Sequence, residues 1–189
     1  MPTCPTLTTE RLTLRPFHAD DLDPIHAIMT TDEVRTSLHL PDDFGRANAW
    51  APLTSFAGLW ELRGLGQWAL EERAGGRFVG RAGLYWRPEP EWPGVEVGWM
   101  LDPAAWGRGY ATEAGACAVR YGFDVLGEET LFSLILPGNT RSEAVAERLG
   151  FVPWEERMLP HFPSAAHRLW RLDRGSRPDR PGSPGVSAG

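Results

Sequence analysis

Gly107 and Gly109 flank Arg108 in the stretch LDPAAWGRGYATEA (101–114), between an apolar run and a long helical pattern. A helix that starts just after such glycines presents backbone N–H groups with no intrahelical acceptor, and its dipole adds partial positive charge there. Glycine lets the backbone approach an anion closely and Arg108 adds a fixed charge, so phosphate binding is chemically natural at this junction. The same glycines also suit a plain strand-to-helix turn, and on these residues alone both readings stand. Two nucleotide signatures are excluded. G-x-x-x-x-G-K-[ST] needs a lysine and the chain has none, while G-x-G-x-x-G fails at its third glycine, which is Thr112.

Glu96 is the second residue able to do chemistry. It is the only ionisable group in VEVGWML (95–101). A carboxylate in such a run can accept a proton from an amine, and burial raises its pKa toward neutrality. Strict strand alternation gives a different reading, in which Val95 and Val97 face the core and Glu96 faces solvent. Cys117 falls on the apolar face of a helix and reads as core packing rather than acyl-thiol chemistry.

The elements that must position these groups follow from periodicity. RLTLRPF (11–17) alternates as a half-buried strand, and residues 19–30 carry a helical apolar face opened by acids. A second helical stretch covers 46–62, interrupted by Pro52. Residues 66–86 read as two strands joined at Gly75-Gly76, and 95–101 as a strand central in a sheet. From 109 to 126, Tyr110, Ala114, Cys117, Ala118, Tyr121 and Val125 form one helical face. Residues 130–136 form a short strand. Thr140 and Glu143 suggest a capping box for a helix ending before Gly150, and 151–159 and 167–172 supply the last strands. This order describes an α/β domain with a mixed sheet and argues against a doubly wound nucleotide fold. One domain is expected over residues 1–173, with a disordered Pro/Gly/Ser/Arg-rich tail over 174–189.

The chain has 189 residues and a formal net charge of −6, with 19 basic residues, all of them arginine. That balance disfavours nucleic acid as a partner. Cys4 and Cys117 make neither a disulfide framework nor a metal pattern, so no metal is expected. No apolar run approaches the ~18 residues of a membrane span, and the N-terminus lacks signal-peptide features, so no membrane partner and a cytoplasmic setting are expected. Nine tryptophans are present, of which Trp50, Trp60, Trp68 and Trp86 are candidates to line a groove for an acceptor; packing is the alternative.

Four stretches together resemble the GNAT acyltransferases, in particular the branch that acetylates the N-terminal alanine or serine of ribosomal proteins. WGRGYA (106–111) is similar to the acetyl-CoA signature [QR]-x-x-G-x-[GA], with Trp106 in place of Gln or Arg. LTTERLTLRPFHADDL (7–22), NTRSEAVAERLGF (139–151) and HRLWRLDR (167–174) resemble the branch's opening strand, its N-x-x-S-x-x-V-x-x-x-L-G-F segment and its closing strand. The resemblance covers roughly residues 7–173.

It implies a GNAT-like fold: a six- to seven-stranded, mostly antiparallel sheet with a central splayed parallel pair, flanked by about four helices. It also implies acetyl-CoA as cosubstrate and an amine as acceptor, a protein N-terminus or a small molecule, with a homodimer as an assembly found among relatives. By the same resemblance the amides of Gly107, Arg108, Gly109, Tyr110, Ala111 and Thr112 hold the CoA pyrophosphate. The backbone of Trp99, Met100 and Leu101 pairs with the pantetheine arm, and an N–H of Met100 or Leu101 polarises the thioester carbonyl. Asn139 meets the cofactor near its thiol, although Asn is also a preferred helix cap. Ser142 protonates the leaving thiolate, since the tyrosine used by other members is here Ala146. Glu96 is the candidate base, and direct attack by the amine is the expected chemistry. A non-catalytic acyl-CoA-binding or sensing domain is the alternative from a different class, and a nucleotide-binding module a third.

Overall fold

A computed structural model describes residues 3–159 and 162–176; for 162–165 only the backbone is described. Eight strands form one sheet in the order β1-β2-β3-β4-β5-β6-β8-β7. They are β1 (Leu7–Thr8), β2 (Leu12–Arg15), β3 (Gln67–Glu72), β4 (Phe78–Tyr85), β5 (Glu96–Leu101), β6 (Thr130–Ile135), β7 (Val152–Leu159) and β8 (Phe162–Asp173). Five helices accompany them: α1 (Leu22–Met29), α2 (Asp32–Ser37), α3 (Arg46–Arg63), α4 (Tyr110–Arg120) and α5 (Thr140–Leu149). The sheet thus has one more strand than the upper expectation, the two-residue β1. The extra helix is the short α2, which lies in a stretch without a helical apolar face.

All neighbouring strands are antiparallel except β5 and β6. That parallel pair meets at a single register position, Glu96 opposite Phe132, with Phe132 N donating to Val95 O at 2.9 Å. Beyond it the two strands part. Two apolar cores fill the two faces of the sheet. One joins the sheet to α4 and α5 through Val97, Leu101, Ala114, Cys117 and Leu149. The other joins α1–α3 to Met100. Alternation on β5 therefore sends Val95, Val97 and Leu101 toward α4, and Glu96, Gly98 and Met100 toward α1–α3.

Three local expectations change. Pro52 does not interrupt α3, which runs unbroken from Arg46 to Arg63. The helix beginning at Tyr110 passes into a π-turn over Tyr121–Val125. The extra residue per turn rotates the register, so Val125 is 54% exposed while Phe123 is buried. The N-cap of α5 is Asn139, whose Oδ1 accepts from Ser142 N at 3.2 Å; Glu143 instead accepts from Arg168 Nη1. At the C-terminal end, Arg174–Ser176 form a 3₁₀ turn in which Arg174 Nη2 donates to Phe123 O and Glu128 O, each at 2.7 Å. The rest of the expected tail, 177–189, lies outside the described residues.

Candidate active site

The parting of β5 from β6 leaves main-chain groups without a ladder. Val95 O takes the bond from Phe132, so the peptide groups of Val95, Val97, Trp99 and Leu101 point toward β6. Those of Glu96, Gly98, Met100 and Asp102 point toward β4, as Asp102 N donating to Val79 O at 2.9 Å confirms. Met100 sits opposite Arg81, so its N–H is spent on β4 and does not face the opening. This corrects the expectation for Met100. Trp99 and Leu101 are the residues of the expected trio whose amides face the gap. The indole of Trp106 donates to Leu101 O at 3.0 Å, which fixes the end of β5 and gives this tryptophan its own structural role in the signature.

The chain then turns through Gly107 (φ +74°) and Gly109 (φ +78°) into α4. Both are left-handed conformations that a Cβ disfavours. The first i→i−4 bond of α4 runs from Glu113 N to Gly109 O, so the amides of Tyr110, Ala111 and Thr112 precede the helical ladder. Side chains on the outside hold the turn in place. Arg11 donates from Nη1 to Arg108 O and from Nε to Glu113 Oε2, both at 2.7 Å, and its guanidinium lies 4.9 Å from the Tyr110 ring centre. Arg108 itself donates to Glu72 Oε1 at 2.5 Å, so its charge is directed at that carboxylate. Arg11 lies in the opening stretch 7–22 that carries part of the family resemblance, but nothing there pointed it at this turn, and Glu72 carries no motif.

Across the gap, Asn139 and Ser142 stand at the start of α5, both half-buried and both lining the same cleft as Trp99 and Leu101. Arg141 reaches back from α5 to lie 4.5 Å from the Trp106 ring centre, spanning the two walls.

Glu96 is half-buried and faces the cleft on the α1–α3 side, not solvent. Burial pushes its carboxyl up to about 7, outweighing the opposing effect of the Arg81 and Arg87 guanidiniums. Gln67 shares this face: it lies opposite Gly83 on β4, and Gly83 lies opposite Gly98 on β5. A Cβ at Gly98 would lie 3.4 Å from Gln67 Nε2 and 3.5 Å from Glu96 Oε1, so the missing side chain keeps the space between the amide and the carboxyl open.

The tryptophan expectation fails. Trp60 and Trp68 pack in the core, 4.7 Å apart, Trp86 lies under Arg63, and none of these nor Trp50 lines the cleft; Trp92, Trp99 and Trp106 do. Cys117 is a core residue whose thiol burial pushes up. His167 is buried at the cleft wall, and His161 lies outside the described residues. Among the described residues, no group of three or more His, Cys, Asp or Glu is placed to hold a metal, and no helix is long and apolar enough to cross a membrane.

The chain as a whole is similar to known proteins. Residues 11–152 match the family described as acetyltransferase (GNAT) domain. The uncharacterized N-acetyltransferase YoaA of Bacillus subtilis (strain 168) is 29% identical over 148 residues, 78% of this chain and 82% of that protein. The crystal structure of an acetyltransferase from Agrobacterium tumefaciens str. C58 is 30% identical, with a TM-score of 0.79 over 91% of this chain and 96% of that one. At 16% identity the fold is shared with a ribosomal-protein-alanine acetyltransferase of Vibrio fischeri, with a TM-score of 0.70 over 92% and 99% of the two chains.

Proposed function

This chain belongs to the GNAT acetyltransferase family, and from that premise we propose that it moves an acetyl group from acetyl-CoA to a primary amine by direct attack. The observation that carries the reading is the open edge of β5 at Trp99 and Leu101, continuous with the glycine turn and facing Ser142 across the gap. The edge supplies main-chain partners for the pantetheine amides, as an added strand would. The amides of residues 107–112 and the start of α4 supply the anion site for the pyrophosphate.

In the transfer, the acceptor enters from the α1–α3 side and its ammonium gives a proton to the Glu96 carboxylate. The neutral nitrogen attacks the thioester carbon, and the oxyanion accepts from the N–H of Leu101 or Trp99. As the C–S bond breaks, the thiolate takes a proton from the Ser142 hydroxyl, which regains one from water, and the new amide releases its surplus proton to solvent. No step requires an acyl-enzyme. Asn139 both caps α5 and places Ser142, whose N–H it holds.

The reading includes a cytoplasmic setting, and a homodimer is supported by the outer edge of the sheet at β7, where Val152, Trp154 and Met158 are exposed. The test is thiol release from acetyl-CoA in the presence of a panel of primary amines, with product mass as confirmation. Amine-dependent release is expected. CoA binding with no release for any amine would instead favour a non-catalytic acyl-CoA binder.

A further inference from the structure

The α1–α3 face of the cleft holds a cation that the transfer chemistry does not use. Arg81 projects from the middle of β4 onto the same face as Glu96, because it lies directly opposite Met100. It is half-buried and lines the cleft. Among the described residues it makes one hydrogen bond, from Nη1 to Gln67 Oε1 at 3.0 Å, and no direct ion pair, and its guanidinium lies 5.2 Å from the Phe56 ring centre. A neutral amide satisfies one of five donors and compensates no charge. The Glu96 carboxylate on the same face offsets part of its charge from a distance, without a direct ion pair, so the planar fork keeps donors open to a second carboxylate.

The neighbouring groups give that anion a direction. Gln67 holds Arg81 by its oxygen and turns its nitrogen toward the open space over Gly98, which Glu96 Oε1 borders from the other side. Arg81, Gln67, Gly98 and Glu96 thus form one row. Phe56, Tyr85 and Trp92 wall the same cleft, with Tyr85 in edge contact with both other rings, at 6.2 and 5.9 Å. A polyamine would bring more positive charge to this guanidinium. A molecule with an anionic end, an apolar body and an amine suits every part of the row.

We infer that the acetyl acceptor is a primary amine carrying its own carboxylate, an amino-acid-like molecule whose acid end binds Arg81 while its amine lies over Gly98 toward Glu96. This rests on the acetyl-transfer reading above but is tested separately. The experiment compares L-phenylalanine and L-leucine with their carboxamides, with phenethylamine, with spermidine and with a short peptide of free N-terminus, using wild type, Arg81→Met and Arg81→Lys. For wild type, kcat/KM for the amino acids is expected to exceed that for the carboxamides by about tenfold or more. Arg81→Met is expected to collapse that ratio through KM of the acids, and Arg81→Lys to restore part of it.

Preference of wild type for the carboxamide, spermidine or peptide would overturn the inference, as would an unchanged ratio in Arg81→Met. Should Arg81→Met fail to fold, as judged by circular dichroism, Arg81→Lys carries the test: it keeps the charge but loses the fork, and an unchanged acid-to-amide ratio there overturns the inference. Calorimetric binding of L-phenylalanine to the CoA-loaded protein separates the two readings. Binding that depends on Arg81 without any turnover would sink acetyl transfer and leave Arg81 as a carboxylate-binding site only; turnover of amines with no binding of the acids would keep acetyl transfer and overturn this inference.

Discussion

Arg11 and Glu113 lie 102 residues apart and meet through a 2.7 Å hydrogen bond, Nε to Oε2. Glu113 also accepts from Thr9 Oγ1 at 2.6 Å and from Arg11 N at 2.8 Å, so one carboxylate ties the segment leading into β2 to the first turn of α4. These bonds hold the glutamate's pKa down against the effect of burial. Glu113→Ala leaves the Arg11 amide without its acceptor, leaves Thr9 Oγ1 only Leu12 O at 3.1 Å, and frees the arginine that holds Arg108 O. A stability loss of about 1–3 kcal/mol is expected, together with weaker CoA binding. Chemical denaturation and a CoA titration of the variant check both.

The glycine turn predicts a contrast between two substitutions at one position. Gly107 has φ +74° and open space around an added Cβ. Gly107→Ala therefore costs only left-handed strain, roughly 1 kcal/mol, with a few-fold loss of CoA affinity. Gly107→Asp adds a carboxylate beside the proposed pyrophosphate site and is expected to weaken CoA at least tenfold further. Equal affinities for the two variants in calorimetry would remove the pyrophosphate from this turn. Gly109 is a poorer probe, because a Cβ there would lie 3.3 Å from Arg11 Nη2 and a new acid would pair with it.

Glu96 sets a pH dependence. As a base it must be ionised, so kcat/KM is expected to rise with pH through about 7, and Glu96→Gln to lose that limb and about 10²-fold in rate. The same group affects stability with a defined sign. Its folded pKa of about 7 exceeds the ordinary 4.5, so its contribution is fully present below 4.5 and is lost as pH rises to about 7. Relative to Glu96→Gln, the wild type is thus expected to lose on the order of 2 kcal/mol between pH 4.5 and 8. Melting both proteins across that range measures the difference.

Asn139 and Ser142 separate by kinetics. Ser142→Ala is expected to lower kcat with little change in CoA affinity, since the cap bond uses the backbone N–H that alanine retains. Asn139→Ala removes the cap, costs about 1 kcal/mol of stability and displaces Ser142, so kcat and CoA affinity fall together. Pre-steady-state thiol release and CoA titration distinguish the two patterns; a Ser142→Ala enzyme with unchanged kcat would take the serine out of the acid role.

Much of this site was legible because its parts are local. The glycines at 107 and 109, the helix that follows, and the cap at 139 depend on neighbours within a few residues. Glu96 stood out because one carboxylate broke an apolar strand, yet alternation alone pointed it to solvent. It faces a cleft because α1–α3 cover that side of the sheet, and no local pattern encodes what covers a face. The tryptophans failed for the same reason: a periodic position says which side a ring takes, not what it meets there. Arg81 and Gln67 gave no signal, since their significance arises only from the register of three strands.

The sequence by itself determined the order of elements, the anion-seeking turn before α4 and the family resemblance, because these follow from short-range periodicity and backbone permissiveness. Only the tertiary structure decided that β5 and β6 part after one register pair, that Trp99 and Leu101 rather than Met100 face the gap, and that Arg81, Gln67 and Glu96 share one row. Those facts depend on strand pairing between residues tens of positions apart, where side-chain direction and peptide direction are fixed by the partner strand and not by the chain's own neighbours.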